Sequence, residues 1–285
     1  MTTSRAALWL IFCVVLWSTS GLMIKLSSLD ALALNAGRNL FTVVIIWLYL
    51  RRPHFTFSLP QIGGALASVA AQSLFVRATQ LTSAANAILL QYSAPFFVAI
   101  FAIWYLRERP KAIDWITMAM TPLGMILFFA DKLDRNGVLG NTYAILSGIA
   151  LAWMVLFLRK QKDGSPSETI LLGSLMISLL GLPALLKSQL TVRDGVIIVY
   201  MGIFQLGIPF LLYGILIKYL EAVEATLIQT LEPILNPLWV LVFYGEVPNR
   251  LALIGGIIVI FAVTFRVIWS SRQQKLQTAL RTASN

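Results

Sequence analysis

The chain has little of what chemistry on a soluble scaffold needs. It carries one cysteine, Cys13, so no internal disulfide can form. Cys13 lies in an apolar run, where a small packing residue fits. It carries one histidine, His54, beside Arg51, Arg52 and Pro53 in a short basic loop, which reads as a solvated position. With one of each, a metal site built on histidine or cysteine is excluded, and no metal or other cofactor is expected. The HExxH, GxSxG and P-loop patterns are missing. With one histidine, one cysteine and a single acid expected within a helix, a membrane-embedded enzyme would have no catalytic set to work with, and none is expected.

Apolar residues are abundant instead. They make up 58% of the chain, and the mean hydropathy is +0.81. The apolar stretches run to about 20 residues each, enough for a helix to cross a bilayer core of roughly 30 Å. They do not alternate apolar with polar, as the strands of a membrane barrel would. The expectation is an all-α integral membrane protein. Ten transmembrane helices are expected, near 6–26, 31–50, 60–80, 83–106, 112–130, 138–158, 167–187, 194–217, 223–244 and 250–270. The first does not read as a cleaved signal, because it is long, follows Arg5 and lacks a clear small-residue cleavage site. Residues 271–285 read as a frayed polar tail.

Ten helices put both termini on one side. Of the 22 Lys and Arg residues, fourteen fall on the terminal side, among them Arg51, Arg52, Arg107, Arg109, Lys111, Arg159, Lys160 and Arg266. Six fall opposite, among them Lys132, Arg135 and Arg250, and two, Arg38 and Arg77, lie within helices. The positive-inside rule therefore predicts a multi-pass protein of the inner (cytoplasmic) membrane with cytoplasmic termini. The net charge of +10 is an orientation signal for anionic lipid surfaces, so membrane lipids and not nucleic acid are the expected partners.

Residues 91–110, QYSAPFFVAIFAIWYLRERP, align without a gap on 229–248, QTLEPILNPLWVLVFYGEVP. Gln91 meets Gln229, Pro95 meets Pro233, Glu108 meets Glu246 and Pro110 meets Pro248. An odd number of helices per half inverts the second copy, so the expected organisation is a repeat over 1–134, an inverted repeat over 135–270, and the tail. Inverted halves let one site near the midplane open to either face in turn. Trp17 and Trp153 pair more weakly between the starts of the halves.

LWSTSGLMIK (16–25), Arg38, and the Pro-to-Glu-x-Pro segments ending at Pro110 and Pro248 together resemble the drug/metabolite transporter superfamily, in its ten-helix form with two EamA domains. The resemblance covers essentially the whole chain. LWST with Trp17, and the Tyr92-x-x-Pro95 step, are similar to a bacterial amino-acid exporter type. That type carries a Trp before the helix-4 proline, where this chain has Ala94, so an aromatic cargo is not implied. The resemblance implies a secondary transporter moving a small molecule.

Several residues are candidates for binding it. Glu232 is the one acid expected in mid-helix, where an ionised carboxylate costs ~3 kcal/mol on insertion scales and needs a partner or a wet cavity. It suits an ammonium group or a coupling proton; the alternative is a paired or protonated Glu at a Pro-loosened turn. Arg38 is its candidate ion partner, or a partner for a substrate anion. Pro95 and Pro233 break helices and free the carbonyls of Gln91 and Gln229. The Gln91 and Gln229 amides suit a polar solute or act as interhelical glue. Gln72 and Gln205 hold similar places in the two halves, and Trp17, Tyr92, Trp153 and Tyr213 offer aromatic walls. Gly63-Gly64 and Gly255-Gly256 open helices 3 and 10 and suit close helix approach. The resulting expectation is export of small polar metabolites, best matched by amino acids, from a monomer or homodimer, with protons as a possible coupling ion. Export of organic cations held by Glu232, and import of a riboflavin-like vitamin, remain alternatives.

Overall fold

The computed structural model describes residues 1–82, 84–130, 137–244 and 250–283. Glu246 and Pro248 of the repeat lie outside them, as do Lys132 and Arg135. Among the described residues the regular elements are helical throughout, with no strand. Helices α1 (Thr3–Trp17) and α2 (Ser20–Leu26) form one broken segment. α3 (Ala31–Leu50) and α4 (Leu59–Leu81) follow, then a second broken pair, α5 (Ala84–Gln91) and α6 (Ala94–Tyr105). α7 (Ala112–Phe128), α8 (Val138–Lys160) and α9 (Pro166–Lys187) are single rods. α10 (Val192–Tyr200) and α11 (Ile208–Leu216) are joined by a π-helical stretch, Met201–Gly207. The third broken pair is α12 (Ala222–Gln229) and α13 (Glu232–Tyr244), and α14 (Arg250–Ala283) closes the chain.

Eight helical segments are long and apolar enough to cross a membrane, and α7 is a shorter apolar helix. Counting α7 and the α12–α13 pair as spans gives the ten of the sequence expectation. Leu8, Phe12, Val44, Leu48, Ile100, Trp104, Leu179, Val242 and Phe261 all point outward. Such a belt is costly in water and natural in lipid. Small residues let the rods close inside it. A Cβ on Gly124 would stand 2.7 Å from the Gly255 carbonyl oxygen, so α7 and α14 touch backbone to backbone there. Gly63 and Gly64 similarly seat α4 against Phe157 and Thr169. The tail differs from its expectation: it continues α14 as helix to Ala283.

The repeat is visible in the backbone. An offset of 138 residues carries the start and end of α5 onto those of α12, and the start of α6 onto that of α13. The prolines act differently from the expectation. Pro95 and Pro233 occupy the second position of α6 and α13, where a backbone N–H has no intrahelical acceptor anyway. They therefore restart a helix already interrupted. The interruptions are stabilised by hydroxyls: Ser93 donates to the Leu90 carbonyl at 2.5 Å, and Thr230 to that of Leu227 at 2.6 Å. In the first segment, Ser18 and Thr19 do the same to Val15 and Leu16, at 2.7 and 2.8 Å. Such back-bonding competes with the helical ladder and bends it.

Polar contacts sort the connections into two ends. At one, Asp194 in the first turn of α10 accepts from Ser27 and Ser28 after α2, and Thr82 after α4 donates to Asn141 in the first turn of α8. The other is rich in basic residues. There the His54 N–H bonds Glu168, Lys218 bonds the Gly164 carbonyl, and Glu108 after α6 accepts from the Ala222 N–H that opens α12. That last bond makes the two matched segments antiparallel.

Candidate functional site

The two broken helices meet at their interruptions. Tyr92, in the break between α5 and α6, donates its hydroxyl to Glu232 Oε2 at 2.9 Å. Glu232 opens α13, so its carboxylate stands at the positive end of that half-helix dipole. Arg38 of α3 acts on the same carboxylate electrostatically, while its Nε donates to Asn35 Oδ1 at 2.8 Å. A carboxylate, a phenol and a guanidinium thus gather from three elements.

Beside them lies a second set with an unusual property. Trp17, at the end of α1, packs edge-on to Tyr213 and Phe210 of α11, with ring centroids 5.7 and 5.8 Å apart. Gln205, in the π-helical stretch, donates Nε2 to the Trp17 carbonyl at 3.3 Å. Gln229 ends α12 next to the Tyr213 hydroxyl, yet the two make no aligned hydrogen bond. Trp17 Nε1 and Gln205 Oε1 are buried without a protein partner, and Tyr213 Oη and Gln229 Nε2 are buried facing only each other, out of alignment. An unsatisfied buried polar atom costs about 1–3 kcal/mol, so four in one locality need an explanation other than packing. Gln229 ends α12 three residues before Glu232 opens α13, which links the two sets along the chain. A cavity of about 10 Å³, roughly one water, opens beside Tyr213 and Phe210 toward Ser68 and Thr169.

The other expected residues sit elsewhere. Gln91 Nε2 donates to Ser147 at 2.8 Å, and Ser147 donates on to the Ala71 carbonyl at 2.7 Å. That chain ties α5, α8 and α4, which is the interhelical alternative for this amide. Its freed carbonyl lies where a Cβ on Gly148 would stand, so it faces α8. Gln72 bonds Ser68 at 3.5 Å and keeps Oε1 unpartnered. Trp153 stacks on Phe101 with centroids 5.1 Å apart and packs on Trp104, Tyr105 and Phe157, in an aromatic group that reaches the outside through Trp104.

Three acids escape the sequence reading. Asp114, Asp194 and Glu224 lie in the first turns of α7, α10 and α12, not in mid-helix, yet are as buried as any core residue. Arg266, counted with the flanking charges, is fully buried between Asp114 and Glu224. Position along a helix does not reveal that neighbouring helices overhang its ends. The break at Ser18–Thr19 was also missed, since no proline marks it; the Ser18-Thr19-Ser20 hydroxyl run is the usable signal. Trp239 fixes it by donating Nε1 to Ser18 Oγ at 2.8 Å.

Fold and site together define a polytopic membrane protein whose interrupted helices enclose buried, unpaired polar groups, the architecture of a solute transporter and not of an enzyme. The chain belongs to the EamA-like transporter family, which matches residues 4–130 and 138–268. It is similar to an uncharacterized transporter, YdfC, of Bacillus subtilis, at 24% identity over 68% of this chain and 66% of that one. An uncharacterized transporter of Archaeoglobus fulgidus matches at 24% identity over 89% of this chain and 93% of the relative. The pseudopaline exporter CntI of Pseudomonas aeruginosa matches at 23% over 62% and 64%. The chain thus spans just under two thirds of the Bacillus and Pseudomonas relatives. A solved crystal structure shares the fold with a TM-score of 0.80 over 92% of this chain and 96% of that one, at 16% identity.

Proposed function

We propose that this transporter exports small zwitterionic metabolites, with amino acids as the best-fitting class, by alternating access between halves 1–134 and 135–270. The observation that carries the reading is the group of buried polar atoms without protein partners beside the Tyr92–Glu232 pair. Trp17 and Gln229 offer N–H donors, Gln205 an acceptor, and the Tyr213 hydroxyl either role. Glu232 suits an ammonium group, and Arg38 suits a carboxylate. A zwitterion satisfies both charges and the neutral groups at once, whereas a simple hydrocarbon satisfies none. The excess of Lys and Arg at one end supports a cytoplasmic location for that end and for both termini, in the inner membrane. The name of the Pseudomonas relative supports the export direction.

An organic cation is the second reading, favoured by the aromatic faces of Trp17 and Tyr213 near an anionic Glu232. Ligand-induced thermal stabilisation of the purified protein separates the readings, using panels of amino acids, quaternary amines and flavins. Stabilisation by amino acids, lost on methyl esterification of the ligand carboxylate, supports the proposal. Stabilisation by quaternary amines alone, or by flavins alone, overturns it.

A further inference from the structure

Away from the central site, Arg266 of α14 lies fully buried between two carboxylates. Its Nε and Nη2 both stand 2.8 Å from Asp114 Oδ1, and its Nη1 stands 2.6 Å from Glu224 Oε1. The relative exposures of the three side chains are 1%, 0% and 2%, so water does not dilute their charges. The surroundings do not neutralise the group. Lys111 of α7 pairs with Glu221 at 3.0 Å, and Arg159 of α8 pairs with Glu108 at 2.7 Å. Ser270 of α14 faces Glu224, and Arg5 of α1 is exposed. Two carboxylates therefore share one guanidinium, leaving one negative charge uncompensated in a dry setting, where like charges cannot both stay ionised cheaply.

The two carboxylates are not held alike. Asp114 also accepts the Lys111 backbone N–H at 2.7 Å and an aligned Nε–H from Arg266, so its charge is well satisfied. Glu224 has the Ser270 hydroxyl beside it, and its Oε1 meets Arg266 without an aligned hydrogen bond. A proton arriving past the exposed Lys111–Glu221 pair adds to the Glu224 carboxylate at least loss. Glu224 also sits on α12, the half-helix that ends at Gln229 and leads to Glu232. Its contact with Arg266 holds that half-helix, together with Glu108 on the Ala222 N–H and Lys111 on the capping Glu221.

We propose that Glu224 is a proton-binding site, and that its protonation removes the uncompensated buried charge beside Arg266 and favours closure of the transporter at its basic end. The gating role rests on the transport reading above; the proton site does not, and its test needs no substrate. A cysteine replaces the buried Ala225 of α12 in a Cys13→Ser background, and its alkylation rate is divided by that of an exposed Lys162→Cys control at each pH. From about pH 8 to about pH 5 the ratio is expected to fall by up to tenfold per unit. Glu224→Gln should hold it low and flat. A flat ratio in the parent overturns the proposal, as does a parent-like pH response in Glu224→Gln. Should that variant fail to fold, Asp114→Asn decides. It leaves one carboxylate per guanidinium and should displace the response to lower pH; an undisplaced response overturns the proposal.

Discussion

Arg159 ties three segments together at the basic end. From the last turn of α8 its Nε donates to Glu108 at 2.7 Å, and one Nη donates to the Ile217 and Lys218 carbonyls at 3.0 and 2.6 Å. Arg107, with a left-handed φ of 59°, turns the chain so that the Glu108 N–H reaches the Ala102 carbonyl and its carboxylate faces Arg159. Arg159→Gln removes the charge and the forked geometry. A hydrogen bond to a charged group is worth about 1.5–3 kcal/mol. The Glu108 and Arg159 side chains keep 22% and 12% of their exposure, and Glu108 retains the Ala222 N–H, so the full penalty for a buried unpaired ion does not apply. A loss of about 2–3 kcal/mol in favour of closure is expected, or about a 30- to 150-fold shift toward the open end. The alkylation rate of a cysteine at the buried Leu220 reports that equilibrium when closing outpaces reaction. A double-mutant cycle with Glu108→Gln should show a coupling above about 1 kcal/mol. A rate unchanged in Arg159→Gln, or strictly additive single variants, would refute the latch.

The two matched glutamines should behave differently. Gln229→Ala should weaken ligand binding several-fold, about 1 kcal/mol, by titration calorimetry, while Gln91→Ala leaves affinity intact and lowers thermal stability through Ser147. Gly255→Leu should abolish monodisperse protein in size-exclusion chromatography, because no side chain fits against Gly124; a normal elution profile would contradict the packing. Cysteines at the exposed Lys162 and Leu190 should label from opposite faces of intact cells and inverted vesicles. Labelling of both from one face would break the topology.

Helix positions were legible because apolar length is a one-dimensional property: the observed α3, α8 and α9 fall within two residues of their expected ends. The match of Gln91 with Gln229 was more informative still, since both residues terminate half-helices. What the sequence withheld depends on neighbours. Nothing in one dimension tells that Gln91 turns to Ser147 while Gln229 stays unpaired, or that Trp153 joins Phe101 instead of the centre. Asp114 and Glu224 stand in the first turns of α7 and α12, Arg266 near the expected end of the last span, and only the crossing of α7, α12 and α14 makes them a buried triad. The π-helical turn that carries Gln205 has no composition of its own, and its register is set by contact with α3, where a Cβ on Gly202 would stand 2.7 Å from the Arg38 carbonyl.

The central claim is that solute is held where Glu232 and Tyr92 join the two broken helices. Counterflow of a labelled amino acid in proteoliposomes, compared between the parent and Glu232→Gln, tests it most directly. The account predicts saturable exchange in the parent and a loss of at least about tenfold in apparent affinity in the variant, the worth of one charge-assisted bond. Saturable exchange with the same concentration dependence in both proteins would contradict it.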